Sequence, residues 1–294
     1  MKFINPKTDF AFKRIFGSEQ NKDILISFLN GILYEGNSVI EDLDILNPYQ
    51  APRIRGVKDT YLDVKAILNN EQTVIIEMQV LNLEGFEKRI LYNAAKAYSM
   101  QLEIGQKYTL LNPVIALTIT DFEMFPNFEK AISRFILKER EFLIDYPIYD
   151  LELVFVELPK FAKEIEDVET LTEQWIYFLN SAANVKEVPE KMGRVPEIRK
   201  AFEVANIATL SREELEELEQ KEIYIMDQRN AIKRAERLAA ERAGREALAQ
   251  GLQQGSEQKA LEIATRLLDL LDEATISQIT GLSLEDVQRL KQGR

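Results

Sequence analysis

"DTYLDVKAILNNEQTVIIEMQV", residues 59–80, decides the reading of the fold. Two arms rich in Val, Ile, Leu, Tyr and Thr flank "NNE", the composition of buried strands joined by a tight turn. Strand side chains alternate between faces. Tyr61, Asp63 and Lys65 therefore share one face of the first arm, and Thr73, Ile75, Glu77 and Gln79 one face of the second. With "NNE" as a three-residue loop, Leu68 pairs with Gln72 and, counting back, Asp63 pairs with Glu77. A five-residue loop keeps that register, whereas a two-residue loop puts the acids on opposite faces. Directly opposed side chains lie ~4.5–5.5 Å apart at Cβ. Two carboxylates that close repel, so one is protonated or a cation sits between them. A hard divalent cation, Mg²⁺ in particular, suits an all-oxygen site. A plainer reading stands beside this one: a solvated strand face on which Lys65 pairs with Glu77.

The rest of the chain narrows the chemistry. Its 294 residues, 46% of them hydrophobic, suffice for one large domain or two smaller ones. It contains no Cys and no His, which excludes disulfides, zinc–thiolate sites and Ser-His-Asp triads. No phosphate-cradling loop is present, because Gly244, Gly251 and Gly255 fall in a polar helical stretch with the wrong spacing. The net charge of -12 is uneven: residues 139–173 are densely acidic, while "RNAIKRAERLAAERAGR", residues 229–245, has a basic excess able to meet phosphate. The opening "MKFINPKTDFAFKRIFG" has no secretory character, and no apolar run approaches the ~20 residues of a membrane span. The expectation is a soluble, cytoplasmic protein.

Periodicity supplies the elements. Residues 8–33 read as two helices broken at Gly17 and Ser18, with Gly31 near the end of the second. A strand near 39–47 and a connection through Pro48 and Pro52 lead to the two arms. A helix over 84–104 follows, then strands at 112–120, in "ISRFILKER" and at 150–158. After Pro159 the strand signals stop, and from about 165 the chain reads as helical. Leu218, Ile225, Ile232 and Ala239 recur every seventh residue, the seam of a long helix. Leu261, Ala264, Leu268 and Leu271 form a second stripe. Two short helices close the chain around Gly281, with a capping box at Ser283 and Asp286. The expected class is α/β, a mixed sheet flanked by helices over residues 1–160, followed by an all-helical region over 161–294.

An Asp on one strand and Glu-x-Gln on the next, here Asp63 and "EMQ" at Glu77, Met78 and Gln79, resembles the PD-(D/E)XK nuclease superfamily. The order α-β-β-β-α-β over residues 8–120 is similar to its core. "PKTDFAFKRIFG", "YLDVKAIL", "VIIEMQV", "RILYNAAKAYS" and "VFVELPKF" together resemble the Rpn group of recombination-promoting nucleases, also labelled transposase-like. The tail, with "AERLAAERAGREALAQGLQQG" and "ISQITGLSLEDVQRL", is similar to that group's variable C-terminal end. The resemblance implies a metal-dependent DNA endonuclease. Asp63, Glu77 and the backbone of Met78 would hold Mg²⁺ or Mn²⁺. Gln79 stands where the superfamily has a Lys; Gln can hydrogen-bond a water but carries no charge. Lys65 and Lys13 are the candidates to supply that charge.

Other residues carry two readings each. Asp9 either contacts the metal through water, as the superfamily's first-helix acid does, or caps the first helix. Arg89 and Tyr92, at i and i+3 on the following helix, either reach DNA or border the core. Trp175 reads as packing. The final helical pair places Glu285 and Asp286 where a DNA-reading helix would begin, so packing or homo-oligomerisation suits it better. A rival function is a catalytically silent scaffold that binds DNA or protein and assembles through its helical tail.

Overall fold

The computed structural model describes residues 1–50 and 60–292; Pro52 of the expected connection and Asp59 of the first arm lie outside the described residues. Thr8 starts the first helix, its Oγ1 accepting from the Ala11 N–H at 3.3 Å. Thr8, not Asp9, is therefore the cap of α1 (Asp9–Phe16), and Asp9 lies in the first turn with its side chain free for other contacts. A 3₁₀ turn at Glu19–Asn21 leads into α2 (Lys22–Tyr34), which ends at Glu35 in left-handed conformation, φ 55°. Gly31 lies inside α2 instead of ending it. A Cβ there would stand 2.9 Å from Trp175 Cδ1, so close packing and not termination accounts for the glycine.

Strand β1 (Leu43–Leu46) follows, then a two-stranded ribbon of β2 (Tyr49–Gln50) and β3 (Thr60–Tyr61). The quoted arms become β4 (Val64–Leu68) and β5 (Thr73–Gln79). The Leu68 N–H donates to Gln72 O at 2.8 Å, and Val64 pairs with Ile76, the register of the three-residue loop. Next come α3 (Phe86–Ser99), β6 (Val114–Thr120), β7 (Ile132–Phe135) and β8 (Leu151–Glu157). The sheet order is β1-β4-β5-β6-β8-β7, with β5, β6 and β8 parallel and the outer pairs antiparallel. Every residue of β6 is buried, as a parallel strand covered on both faces requires. One face of the sheet, with Val74, Ile76, Ile115, Leu117 and Val154, packs on α1 and α2. The other face packs Ile75, Val114 and Ala116 on Ala94 and Ala97 of α3.

Helices α4 (Leu171–Ser181), α5 (Glu190–Gly193) and α6 (Pro196–Val204) belong to the same core. Trp175, Phe178 and Phe202 are fully buried and join Phe12, Phe16 and Phe28 in one aromatic cluster. Trp175 thus packs. At the end of β8 a buried ion pair, Glu157–Lys160 at 2.6 Å, ties down the segment after β6. Glu157 Oε1 accepts from the N–H groups of Met124 and Phe125, at 2.6 and 3.0 Å, and Lys160 donates to Phe125 O.

The long helix α7 (Arg212–Leu267) carries the heptad seam, with Leu218 buried in the core and Ala239 exposed. The chain divides into two units, Met1–Gln228 and Arg229–Arg294. Strands do cease by residue 160, but the helices that follow supply half of the aromatic cluster, so the packing boundary falls later than the change in secondary structure. In the second unit, α8 (Glu273–Thr280) and α9 (Leu284–Gln292) turn about Gly281, φ +73°, and bury Ala264, Ile276 and Val287 together. Ser283 Oγ accepts from the Asp286 N–H at 3.1 Å, one half of the expected capping box, and donates to Asp286 Oδ2 at 2.6 Å in place of the other half. Among the described residues no helix is long and apolar enough to cross a membrane.

Candidate functional site

Asp63 stands one residue before β4, where the chain bends, and its N–H still bonds Ile76 O at 3.2 Å. The regular register ends at Val64–Ile76, and because Asp63 bonds that same Ile76 the ladder breaks there, so the expected Asp63–Glu77 pair is not formed. The bend brings its carboxyl to α1. Oδ2 accepts from the Met78 N–H at 2.7 Å, and Oδ1 lies 3.5 Å from Lys13 Nζ. Lys13 also pairs with Asp9 at 2.6 Å, one turn earlier on α1. Asp9 and Asp63 lie close enough for each carboxyl to act on the titration of the other. Burial, then the hydrogen bond and charge of Asp9, push the Asp63 carboxyl up to about 7. Burial also acts to raise Asp9, but hydrogen bonds from Asp63 and Lys13 and the charges of Lys13 and Lys221 hold it below the ordinary value.

Glu77 lies on β5 facing α3. Arg89 Nη2 approaches its Oε1 at 2.5 Å, and Asn93 Nδ2 its Oε2 at 3.4 Å. Burial raises the Glu77 pKa, while Arg89 and Asn93 oppose the rise. Arg89 donates to Gln79 Oε1 at 2.7 Å as well, and Gln79 Nε2 donates to Leu81 O at 2.7 Å. Both ends of the Gln79 amide are thus engaged, and Gln79 orients an arginine. Beside Glu77 opens a cleft of about 700 Å³, lined among others by Thr60, Tyr61, Arg89, Tyr92 and Asn93.

The structure brings Asp9, Lys13, Asp63 and the Met78 backbone together, and separately Glu77, Gln79 and Arg89, with Tyr92 on the cleft wall. It does not bring Lys65 to either acid. Lys65 sits on β4 opposite Ile75, forms no ion pair with Asp63 or Glu77, and has its pKa lowered by burial. The pairing of Lys65 with Glu77 is replaced by that of Arg89, whose longer arm reaches from the helix above. Sequence reasoning missed Asn93 and Lys221. Asn93 is one turn beyond Arg89, an i, i+4 signal on the face that meets β5. Lys221 Nζ stands 3.9 Å from Asp9 Oδ2 and comes from α7, too far along the chain for any local pattern to link them.

Among the described residues no group of three or more Asp or Glu side chains is gathered to hold a metal ion. The donors present are nonetheless oxygens suited to a hard cation. Mg²⁺ is commonly held by only one or two carboxylates, keeping waters and taking substrate phosphate oxygens. With its pKa pushed up to about 7, the Asp63 carboxyl is one whose proton a cation would displace. The donors therefore suit such an ion in their chemistry, with Asp63 held on the α1 side and Glu77 engaged by Arg89 on the α3 side. A family model described as PD-(D/E)XK nuclease family transposase matches residues 6–235. No curated protein and no solved structure matches the chain.

Proposed function

The chain belongs to the PD-(D/E)XK nuclease family transposases, and from that membership we propose that it is a divalent-metal-dependent endonuclease acting on DNA in the cytoplasm. The observation that carries this reading is the placement of Asp63 and Glu77 at the same end of the β4–β5 hairpin, each beside its own cation. Asp63, Glu77 and the Met78 backbone are the groups that would hold Mg²⁺ or Mn²⁺. When bound, such an ion polarises a scissile phosphate and lowers the pKa of a coordinated water.

The chain's own residues divide the remaining work. Asp9, which shares Lys13 with Asp63, offers a path for the proton that Asp63 must lose. Lys13 offsets part of the charge left on the two aspartates. Gln79 holds the Arg89 guanidinium beside Glu77, and Arg89 brings the positive charge that a Lys at position 79 would have brought. Released from Glu77, Arg89 is placed to meet a phosphate oxygen, and the Tyr92 ring offers a face to a base from the cleft wall.

Nicking of supercoiled plasmid in Mg²⁺, Mn²⁺ or EDTA, beside Asp63→Ala and Glu77→Ala, tests this. Metal-dependent nicking absent from both variants is expected; equal nicking in all three proteins sinks the assignment. A second reading is favoured by one observation. Lys13 and Arg89 already neutralise the acids, as they would in a silent scaffold that assembles through its C-terminal helices, where Leu248 and Leu252 are 65% and 68% exposed. Absence of nicking across metals and DNA forms would favour it.

A further inference from the structure

The long helix reaches the site as well. Along one stripe of α7, at i, i+4 and i+7, lie Glu214, Leu218 and Lys221. Glu214 pairs with Arg14 of α1, Leu218 is 4% exposed in the main core, and Lys221 faces Asp9. The first two contacts dock this part of α7. The third adds little to docking, because its partners are 3.9 Å apart and each side chain is 45% exposed. Among the described residues Asp9 is the one ion-pair partner of Lys221, which leaves donors of its ammonium group to spare.

Charge balance gives those donors a use. On the α1 side, Asp9 and Asp63 share the single ammonium of Lys13. A phosphate approaching this pair of acids meets, on the α1 side, the one ammonium of Lys13, which both acids already engage. Lys221 supplies the second positive charge at the same place, from an element outside the sheet and its covering helices. We propose that Lys221 is a phosphate-binding residue of this site, so that the start of α7 forms part of the DNA surface. This rests on the nuclease reading of the Asp63–Glu77 site for its location, though not on cleavage.

The test is binding of a short labelled duplex to the full-length protein in Ca²⁺, which takes the same oxygen ligands, from 50 to 200 mM NaCl. Lys221→Met is expected to weaken binding about three- to tenfold at the lower salt, and to reduce the slope of log affinity against log salt by about one contact's worth, ~0.9. Lys221→Arg retains both. Glu214→Gln, which loosens the docking of α7 without touching this charge, keeps the wild-type slope. A wild-type slope in Lys221→Met overturns the proposal, as does the same slope change in Glu214→Gln, which would mean that docking is being read. Binding without nicking, with the slope change present, would fail the nuclease reading and leave the Lys221 assignment standing. Absence of any DNA binding by the wild type overturns both.

Discussion

Asp63 and Glu77 lie at the same end of one hairpin, just beyond its Val64–Ile76 pair, yet their carboxyl groups are held by cations from different helices, Lys13 of α1 and Arg89 of α3. The sheet fixes the spacing of the acids, and the helices on its two faces set their charge. Each half of the site can therefore be perturbed alone.

Removing Arg89 strands Glu77, which is 15% exposed in its side chain. Arg89 is itself 41% exposed, so the penalty falls below that of a fully buried pair. Arg89→Met should destabilise the protein by about 1–2 kcal/mol at pH 7. The loss should shrink near pH 5, where the raised Glu77 pKa lets the stranded carboxyl take a proton. Urea melts at both pH values check it, and an equal loss at the two would show that Glu77 is not the group left uncompensated.

Asp63 has the opposite sign from a salt-bridged carboxylate. Its folded pKa of about 7 lies above the unfolded value of ~3.9. Between these values the folded chain keeps a proton that the unfolded chain has lost, so this group's contribution to stability falls as pH rises from about 4 to about 7. Asp63→Asn removes the titration. Its melting temperature, relative to wild type, should climb by on the order of 5 °C between pH 5 and pH 8. A constant difference across that range contradicts the assignment.

Gly31→Ala should push against the Trp175 indole, 2.9 Å from the new Cβ. The indole is locked edge-on against Phe16, Phe28 and Phe178, and has little room to retreat. An overpacking cost of about 1–3 kcal/mol is expected, with a shift in the emission of this chain's single tryptophan. Unchanged emission and stability would mean that α2 slides to make room.

Glu157→Gln should leave Lys160, 6% exposed in its side chain, as an uncompensated buried charge. The cost expected is about 3–5 kcal/mol. Because Glu157 also takes the Met124 and Phe125 N–H groups, amide exchange across 121–128 should accelerate more than in β6. Uniform acceleration would place the pair's role in global stability alone.

The hairpin was legible because its period of two and its loop length together allow one register. The helix break at Gly17 and Ser18, the heptad start at Leu218 and the terminal cap at Ser283 were legible for the same local reason. What escaped depends on distant pairings. Gly31 reads as a helix end until Trp175 is seen against it. Lys65 reads as the partner of Glu77 until α3 brings Arg89 over the sheet. Asp9 reads as a cap because Thr8, an equally good one, sits beside it, and its true neighbours, Lys13, Asp63 and Lys221, come from three separate stretches. Strand content placed the domain boundary near residue 160, and aromatic packing moved it beyond α6.

The shared aromatic cluster also bears on how the chain is made. Phe12, Phe16 and Phe28 leave the ribosome early, and the rings that cover them, Trp175, Phe178 and Phe202, follow on the order of ten seconds later. Throughout that interval three large rings lack the rings that cover them. Apolar surface exposed in this way is what chaperones bind, and a ribosome that stalls near residue 160 holds three uncovered rings instead of a finished domain.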